Sequence, residues 1–138
     1  MADQVLFELV SPEKLLISGP VEQVIVPGTE GDFGVLPGHS NLISTIRPGV
    51  IYVLKDGKVS ERIFIEGGFA EVTGESCTVL AEKALPVADI DRAAAEKAVT
   101  EAREDVADAK DDEARADATV ALKLAEARLA AAVETSVY

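Results

Sequence analysis

Short apolar runs, rich in Val and Ile, follow one another closely through the first half of the chain. Turn residues separate them at intervals of about 8–12 residues or fewer, which is typical of short β-strands. Such strands favour an all-β sandwich or barrel over a parallel sheet with crossover helices. The predicted strands are residues 5–10, 15–18, 21–26, 32–36, 42–46, 50–54, 59–65, 69–73 and 77–80.

Two turns between these runs have the composition of β-hairpin loops. Asp56-Gly57 suits a type I′ turn, in which both central residues need a positive φ. Gly74-Glu75 predicts a second tight turn. The apolar residues of the sequence Arg62-Ile63-Phe64-Ile65-Glu66 do not alternate strictly with polar ones, so we expect some strands to be buried on both faces.

The pattern changes after Pro86. All ten glycines and all six prolines lie at or before this residue, and 17 of the following 52 residues are alanine. Without helix breakers, this segment predicts two helices, residues 90–109 and 113–133. Asp89 is the predicted N-cap, with Asp91 in the first turn, and Lys110-Asp111-Asp112 is the predicted break. We therefore divide the chain into a β-sandwich, residues 1–87, and a two-helix hairpin, residues 88–138.

Each predicted helix carries an apolar stripe whose members are spaced by four and three residues in turn, which predicts an antiparallel hairpin with a narrow seam. The stripes are Ala95, Val99, Ala102, Val106 and Ala109, and Ala118, Leu122, Ala125, Leu129 and Ala132. Alanine buries little surface, so the seam is weak. A second apolar face of helix two needs another surface; it comprises Val120, Leu124, Ala127 and Ala131. The hairpin is either an ordinary packed pair or a detachable element.

The formal net charge of −12 is spread over both halves: residues 1–87 carry 12 acids and 6 bases, and residues 88–138 carry 13 acids and 7 bases. Binding to nucleic acid or to an anionic membrane requires a basic face, so this balance disfavours both. No apolar run approaches the roughly 20 residues of a membrane span, and the N-terminus resembles neither a secretory signal nor a transit peptide. We expect a cytoplasm-like location and membrane contact only through other proteins.

The residues that could carry chemistry do not form a catalytic set. Cys77, the single cysteine, lies in a strand-like run and is predicted to be a buried structural thiol. His39, the single histidine, follows Pro37-Gly38 on a turn; it has no evident nucleophile to activate, and a histidine metal cluster would need more than one histidine. The glycine-rich residues 28–34 lack the Lys-Ser/Thr ending of a phosphate-binding loop. Instead, they predict an exposed acidic loop, with Glu30 and Asp32, that meets a basic partner.

Residues 26–39, with the sequence VPGTEGDFGVLPGH, resemble the signature loop of the epsilon subunit of F-type ATP synthases. Three further segments follow in the order of that family: Arg47-Pro48-Gly49, residues 67–72 (GGFAEV) and residues 78–82 (TVLAE). The resemblance covers the whole chain. It implies a ten-strand β-sandwich followed by two helices. It also implies a non-catalytic subunit of the central stalk that rotates with the gamma subunit and grips the ring of c subunits.

The resemblance assigns partners to single residues. The positions of Glu30 and Asp32 face the basic polar loops of the c ring in relatives, and those of His39 and Ser44 lie toward gamma. Because the mitochondrial counterpart carries a transit peptide, a chain starting at Met1 without one is expected to be bacterial. The expected location is then the cytoplasmic side of the inner membrane, as a peripheral subunit.

The resemblance also implies that the hairpin can fold against the sandwich or extend toward the alpha/beta catalytic head and inhibit ATP hydrolysis. Some relatives bind ATP at the start of helix one. Here Ile90 and Asp91 match that motif, but Ala94 occupies the arginine position and Arg92 stands two residues early, so we expect no strongly bound ATP and no other cofactor.

Inhibition in relatives also uses basic residues of helix two. From Thr119 onward this chain has Lys123 and Arg128 against Glu126 and Glu134, which sum to zero charge, so we expect weak inhibition.

Two other classes of function are compatible with parts of the pattern. A free-standing β-sandwich adaptor with a helical docking hairpin would need no rotary partners. A small-sandwich enzyme is the third alternative, although the lone His39 argues against a metal-dependent one. The rotor subunit is the function that the sequence favours, because only it explains the ordered set of segments.

Overall fold

The computed structural model describes residues 4–133. They divide between Pro86 and Val87 into two compact units, one made of strands and one made of helices. The first unit has ten strands, and the second has a short 3-10 helix and two α-helices. None of the helices in the described residues combines the length and apolar character needed to cross a membrane.

All ten strands belong to a single hydrogen-bonded sheet, which folds into the β-sandwich that the sequence predicts. The strands are β1 (Val5–Val10), β2 (Leu15–Val21), β3 (Gln23–Gly28), β4 (Gly31–Val35), β5 (Leu42–Ile46), β6 (Gly49–Lys55), β7 (Lys58–Ile65), β8 (Gly68–Val72), β9 (Ser76–Ala81) and β10 (Ala84–Pro86). Their spatial order is β10-β7-β6-β3-β5-β8-β9-β1-β2, with β4 paired to β3. The nine runs read from the pattern match β1 to β9, and β10, three residues long, was missed.

Every strand pair is antiparallel except β1 and β9, which run parallel. This pair places the first strand beside the ninth of the ten strands. The core lies on the inner face of the sheet. Its largest fully buried side chains include Phe7 of β1 and Leu9 two residues further along the same strand. Cys77 belongs to the same core cluster, as predicted.

Three neighbouring strands are buried on both faces, as the imperfect alternation predicted. Val53 of β6 and Ile65 of β7 point into the core. Ile25, Tyr52 and Phe64 point to the opposite face of β3, β6 and β7, yet each is at most 6% exposed. A continuous run of apolar residues in these strands is therefore the signature of double-sided burial.

The β6–β7 hairpin turns as predicted. Asp56 and Gly57 have φ values of 53° and 73°, the pair of positive values that a type I′ turn requires. The amide N–H of Gly57 also donates to a carboxylate oxygen of Glu22, at 2.7 Å. Because Asp tolerates the left-handed region and Gly adopts it without strain, the Asp-Gly pair fixes the register of the two strands.

The helices are α1 (Arg92–Asp108) and α2 (Asp112–Val133), preceded by a 3-10 helix over Val87–Asp89. Residues 109–111 join them, within a residue of the predicted break. Asp111 caps the second helix, because its carboxylate accepts a hydrogen bond from the Ala114 N–H at 2.7 Å. The two helices therefore begin on aspartates and turn back on each other over a short connection.

The prediction that Asp89 is the N-cap of α1 was wrong. Asp89 ends the 3-10 helix, in which the Ile90 N–H donates to the Val87 carbonyl. Asp91 caps the helix instead: its backbone is extended (φ −78°, ψ 109°) and its carboxylate accepts from the Ala94 N–H at 3.1 Å. An N-cap side chain must reach the free N–H groups of the first turn, and Asp91 is the residue within reach.

The helical hairpin has the small-residue seam that the two stripes predict. Val99 and Ala102 of α1 pack against Ala125 of α2 as a buried cluster, and Leu122 and Leu129 lie half-buried beside it. Val120, on the second apolar face, is 69% exposed. At about 0.8 kcal/mol per buried methylene, the alanines of the seam contribute little cohesion.

The cap of α1 gives a direct test of this helix start. Replacing Asp91 with alanine is expected to lower the stability of α1 by about 1 kcal/mol, because the Ala94 N–H loses its acceptor. Hydrogen exchange at the Ala94 and Ala95 amides measures this local loss. The matched control is Asp89→Ala, which removes the same charge two residues earlier and should leave both amides protected. Equal effects of the two substitutions would contradict the assignment of the cap.

Candidate functional site

The β3–β4 hairpin forms a tip at one end of the sheet. Thr29 and Glu30 connect the two strands, and both side chains are exposed. Close packing requires glycine beside them: a Cβ on Gly28 would lie 2.8 Å from the Gly31 carbonyl oxygen, and Gly31 itself has φ +132°. The glycines of this segment therefore shape a tight tip that carries Glu30 at its end.

Arg47 forms hydrogen bonds to both strands of this tip. Its Nη1 donates to the Gly28 carbonyl at 2.6 Å, and its Nη2 donates to the Asp32 carboxylate at 2.5 Å. The Arg47 backbone N–H donates to the Pro27 carbonyl at 3.0 Å. One residue thus binds both strands of the tip.

The two acids predicted to share one acidic loop differ in their contacts. Asp32 forms an ion pair with Arg47, whereas the Glu30 side chain makes no ion pair among residues 4–133. The role of Arg47 was not foreseen, although a signal existed: it is the sole Lys or Arg between residues 15 and 54. A single base among acids is a strong candidate for an internal partner.

A second pair of contacts ties the tip to β5. The Thr29 N–H donates to the Thr45 carbonyl at 3.1 Å, and the two threonine hydroxyls lie 2.9 Å apart. Gly49, just after Arg47-Pro48, lies close to β3, because a Cβ there would lie 3.0 Å from Cβ of Pro27. The tip is therefore fixed by hydrogen bonds from two directions.

His39 lies on a turn, as predicted. Gly38 before it has φ +83° and its N–H donates to the Gly74 carbonyl at 2.8 Å. The His39 Nδ1 lies 2.7 Å from the Ser40 carbonyl oxygen. Since a carbonyl only accepts, Nδ1 carries the proton, and in the neutral ring Nε2 is then left as an acceptor. The half-buried ring serves the turn and retains one polar atom for a partner.

Ser44 is half-buried on β5, and its hydroxyl donates to the Thr45 carbonyl at 2.9 Å. It is paired in register with Ala70, which is fully buried, so Ser44 lies on the inner face of the sheet. The neighbouring Ile43 lies on the outer face and is 74% exposed. On this strand the exposed surface is therefore provided by Ile43, whose apolar side chain alone did not distinguish it from a core residue in the sequence.

The outer face also carries an apolar stripe that crosses the sheet. Phe69 of β8 is in register with Leu80 of β9, Leu80 with Val10 of β1, and Val10 with Leu15 of β2. Phe69, Leu80 and Leu15 are each between 42% and 54% exposed. We call these four residues the outer stripe. A contiguous patch of exposed apolar side chains is typical of a protein–protein contact surface.

The residues proposed for nucleotide binding are engaged within the helical unit. Asp91 is the N-cap of α1, and Arg92 donates from Nε to the Glu96 carboxylate at 3.1 Å. Ile90 is half-buried between the 3-10 helix and α1. Ala94, at the expected arginine position, supplies a backbone donor to the cap and no cation.

The described residues contain no arrangement typical of a catalytic site. No group of three or more His, Cys, Asp or Glu side chains among them could hold a metal ion. Burial raises the pKa of the Cys77 thiol to about 12, so it remains protonated at neutral pH and is a poor nucleophile. The exposed features of the described residues are the tip and the outer stripe.

Comparison with protein families finds a match to the β-sandwich domain of the ATP synthase delta/epsilon chain over residues 4–87. Two similar proteins are ATP synthase epsilon chains. The one from Maricaulis maris (strain MCS10) is 54% identical over 132 residues, which cover 96% of this chain and 98% of that protein. The one from Rhodospirillum rubrum is 50% identical over 131 residues, covering 95% and 98%.

Two solved structures share the fold. A chain of the Euglena gracilis mitochondrial ATP synthase, determined by cryo-EM as an OSCP/F1/c-ring assembly, superimposes with a TM-score of 0.86 at 29% identity, covering 97% of this chain and 84% of that one. A chain of the Tetrahymena thermophila mitochondrial ATP synthase, from a central stalk/c-ring structure, gives a TM-score of 0.63 at 13% identity, covering 94% and 96%. The second likeness concerns the fold alone.

Proposed function

The chain belongs to the delta/epsilon family of ATP synthase subunits, and from this premise we propose that its sandwich couples the gamma subunit to the c ring. It functions as a rotor subunit of the central stalk. This conclusion rests on a match along nearly the whole chain. The alignment with the relative from Maricaulis maris is 54% identical and covers 96% of this chain and 98% of that protein. Its contribution to ATP synthesis is mechanical and non-catalytic.

The tip suits a cationic partner. Glu30 stands exposed at its end, and the surrounding glycines leave the carboxylate accessible. A negative group on a fixed loop attracts a basic surface and orients its approach. We therefore assign the tip to the polar loops of the c ring, with Glu30 as the contact residue and Asp32 beside it.

The outer face suits the gamma subunit. The outer stripe offers aromatic and aliphatic side chains, and Ile43 adds a further exposed apolar residue on β5. His39, on the connection before β5, is proposed as a polar contact at the edge of this surface, and Ser44, on the inner face of β5 beside Ile43, remains the second residue that the resemblance assigns to gamma. An apolar centre with polar groups at its edge is typical of a stable protein–protein interface. Gamma would then be held by burial of this surface rather than by charge.

The helical hairpin is proposed as a regulatory element with a small effect on hydrolysis. Few large side chains stabilise its alanine seam. The free energy of a second arrangement that reaches the alpha/beta head would therefore differ from that of the packed hairpin by only a few kcal/mol. Lys123 and Arg128 of α2 are balanced by Glu126 and by Glu134, which lies outside the described residues. Because these charges cancel, we expect the hairpin to dock weakly to the alpha/beta head and to inhibit ATP hydrolysis only weakly.

ATP binding at α1 is expected to be weak. Asp91 and Arg92 each have a partner within the helix, and Ala94 provides no cation for a phosphate. We propose that the subunit works without a bound cofactor. Attachment to the membrane complex through the c ring would make it a peripheral protein, on the cytoplasmic side of a bacterial inner membrane.

Charge reversal at the tip tests the ring-facing assignment. Glu30→Lys is expected to weaken binding to a purified complex of gamma and the c ring by about tenfold, because it brings like charges together. Surface plasmon resonance at two salt concentrations measures the change, which should shrink as salt screens the charges. Glu61→Lys on β7 is the control: it makes the same charge change on an exposed residue of another strand and should bind normally. Normal binding of Glu30→Lys would contradict the assignment.

A further inference from the structure

The outer face of the sandwich carries an uncompensated pair of negative charges. It is formed by five neighbouring strands, β5, β8, β9, β1 and β2. These strands contain no Lys, Arg or His, and their only charged residues are Glu8 on β1 and Glu71 on β8. Glu8 lies between the core residues Phe7 and Leu9, so it points outward. Glu71 is paired in register with the exposed Ile43 and lies on the same face.

The two glutamates belong to one row across the sheet. Glu71 is in register with Thr78 of β9, and Thr78 is in register with Glu8. We call these three residues the acidic row. Neighbouring strands are about 4.8 Å apart, so the two glutamates are about 10 Å apart along the row. Neither forms an ion pair among residues 4–133, and two separate basic side chains could therefore reach them.

The acidic row runs beside the outer stripe. On β8, Glu71 lies two residues from Phe69, and on β1, Glu8 lies two residues from Val10. Residues two apart on a strand point to the same face of the sheet. An apolar row and an acidic row therefore lie side by side on one surface.

The charges differ on the other side of the outer stripe. There, away from the acidic row, the stripe borders a surface cavity of about 400 Å³. Its lining includes Phe69, Leu80, Glu66 and Glu82. A base is present at this side, since Nζ of Lys83 lies 3.8 Å from the Glu66 carboxylate. The negative charge beside the cavity is therefore partly compensated, whereas that of the acidic row is not.

A partner that covers the outer stripe must also deal with the acidic row. A stable interface buries about 800 Å² on each partner, which is more than the four partly exposed side chains of the stripe provide. The partner therefore extends over neighbouring rows, including the acidic row. Removing a carboxylate from water without a compensating cation or hydrogen bond is costly. A wholly apolar partner is thus disfavoured on this face, and a partner with basic side chains beside its apolar patch is favoured.

We propose that Glu8 and Glu71 determine the specificity of the gamma contact by receiving two basic side chains of gamma, about 10 Å apart. The outer stripe supplies most of the affinity through burial, while the acidic row selects a partner whose cations lie in matching positions. This proposal rests on the proposed function, because it takes the outer face as the surface that binds gamma. It adds the chemistry of the partner surface, an apolar patch bordered on one side by Lys or Arg.

Charge reversal in the acidic row is expected to slow association with gamma. Glu71→Lys should lower the association rate constant by about tenfold at low salt, and by less at high salt, because its ammonium repels the approaching cations. The binding partner is a soluble complex of gamma and the alpha/beta head without the c ring, so that the tip does not contribute. Surface plasmon resonance measures both rate constants. Glu61→Lys on β7 gives the same net charge at an exposed residue of another strand and should associate normally.

Loss of the charges and loss of apolar area should change different rate constants. The double variant Glu8→Gln/Glu71→Gln retains the shape of both side chains. It should associate about fivefold more slowly, with a weaker dependence on salt and a dissociation rate within about twofold of the wild type. Phe69→Ala removes part of the outer stripe and should instead dissociate about tenfold faster, with an unchanged dependence on salt.

The possible results distinguish this proposal from the proposed function. Equal association rates for Glu71→Lys and Glu61→Lys, or a double variant with the salt dependence of the wild type, would overturn the role of the acidic row. If Phe69→Ala still dissociates faster in that case, gamma binds the outer face and only the acidic row is wrong. If Phe69→Ala also behaves like the wild type, the assignment of gamma to this face fails too. Slower association of both charge variants, with nearly normal dissociation, supports the proposal.

Discussion

Replacing Gly68 with alanine is expected to destabilise the sandwich by about 3 kcal/mol or more, the largest effect expected from adding a Cβ to any of the ten glycines. Gly68 has φ +143°, a conformation that side chains rarely adopt. An added Cβ would also collide with the Leu80 carbonyl oxygen and lie 3.1 Å from the Ala81 Cα. Both neighbours are backbone atoms of β9, which is held between β8 and β1, so neither can move aside cheaply.

Thermal unfolding of the sandwich, followed through the NMR signals of its strand residues, measures this effect. At about 4–8 °C per kcal/mol for a unit of this size, the melting temperature should fall by about 15 °C. Gly19→Ala is the matched control, because Gly19 lies on β2 with open space around its Cα and no positive φ. A melting temperature for Gly68→Ala within a few degrees of the control would contradict the account of this position.

The second large effect concerns coupling. Removing this chain from the ATP synthase is expected to abolish most proton-driven ATP synthesis, because the proposed link between gamma and the c ring is lost. Adding back the full chain should restore it. The sandwich carries both proposed contact surfaces, the tip and the outer stripe, so residues 1–87 should restore coupling as well as the full chain does.

The fold was largely predictable, for physical reasons that particular residues illustrate. Asp56-Gly57 defined the β6–β7 hairpin because few residue pairs adopt two positive φ values. The absence of breakers after Pro86 defined the helical half. The position of the cap was not predictable, because Asp89 and Asp91 are both residues that favour the N-cap position. Only the 3-10 helix over Val87–Asp89 decides between them.

The candidate site was predictable only in part. Local sequence showed that Glu30 lies on an exposed turn, but it also grouped Asp32 with it, since a pattern along the chain does not show which base lies across the sheet. Arg47, 15 residues further on, changes the role of Asp32. Likewise, Phe69 and Leu80 form a surface only through the pairing of β8 with β9, which depends on the register of the whole sheet.

The hairpin shows the same limit in another form. The stripes of small residues predicted a narrow seam, and Val99, Ala102 and Ala125 form it. Composition indicates that this seam is weak, but the working position of the hairpin depends on partners that a single chain does not contain. Its regulatory effect must therefore be measured in the assembled enzyme.

The most direct test of the central claim is an add-back experiment on membranes or purified ATP synthase depleted of this chain. Proton-driven ATP synthesis and ATP hydrolysis are measured after adding the full chain or residues 1–87, once circular dichroism has shown that the shorter chain is folded. We predict that both forms restore synthesis and that hydrolysis is nearly equal with either. Failure of both forms to bind or to restore synthesis would contradict the role of this chain as the coupling subunit of the rotor.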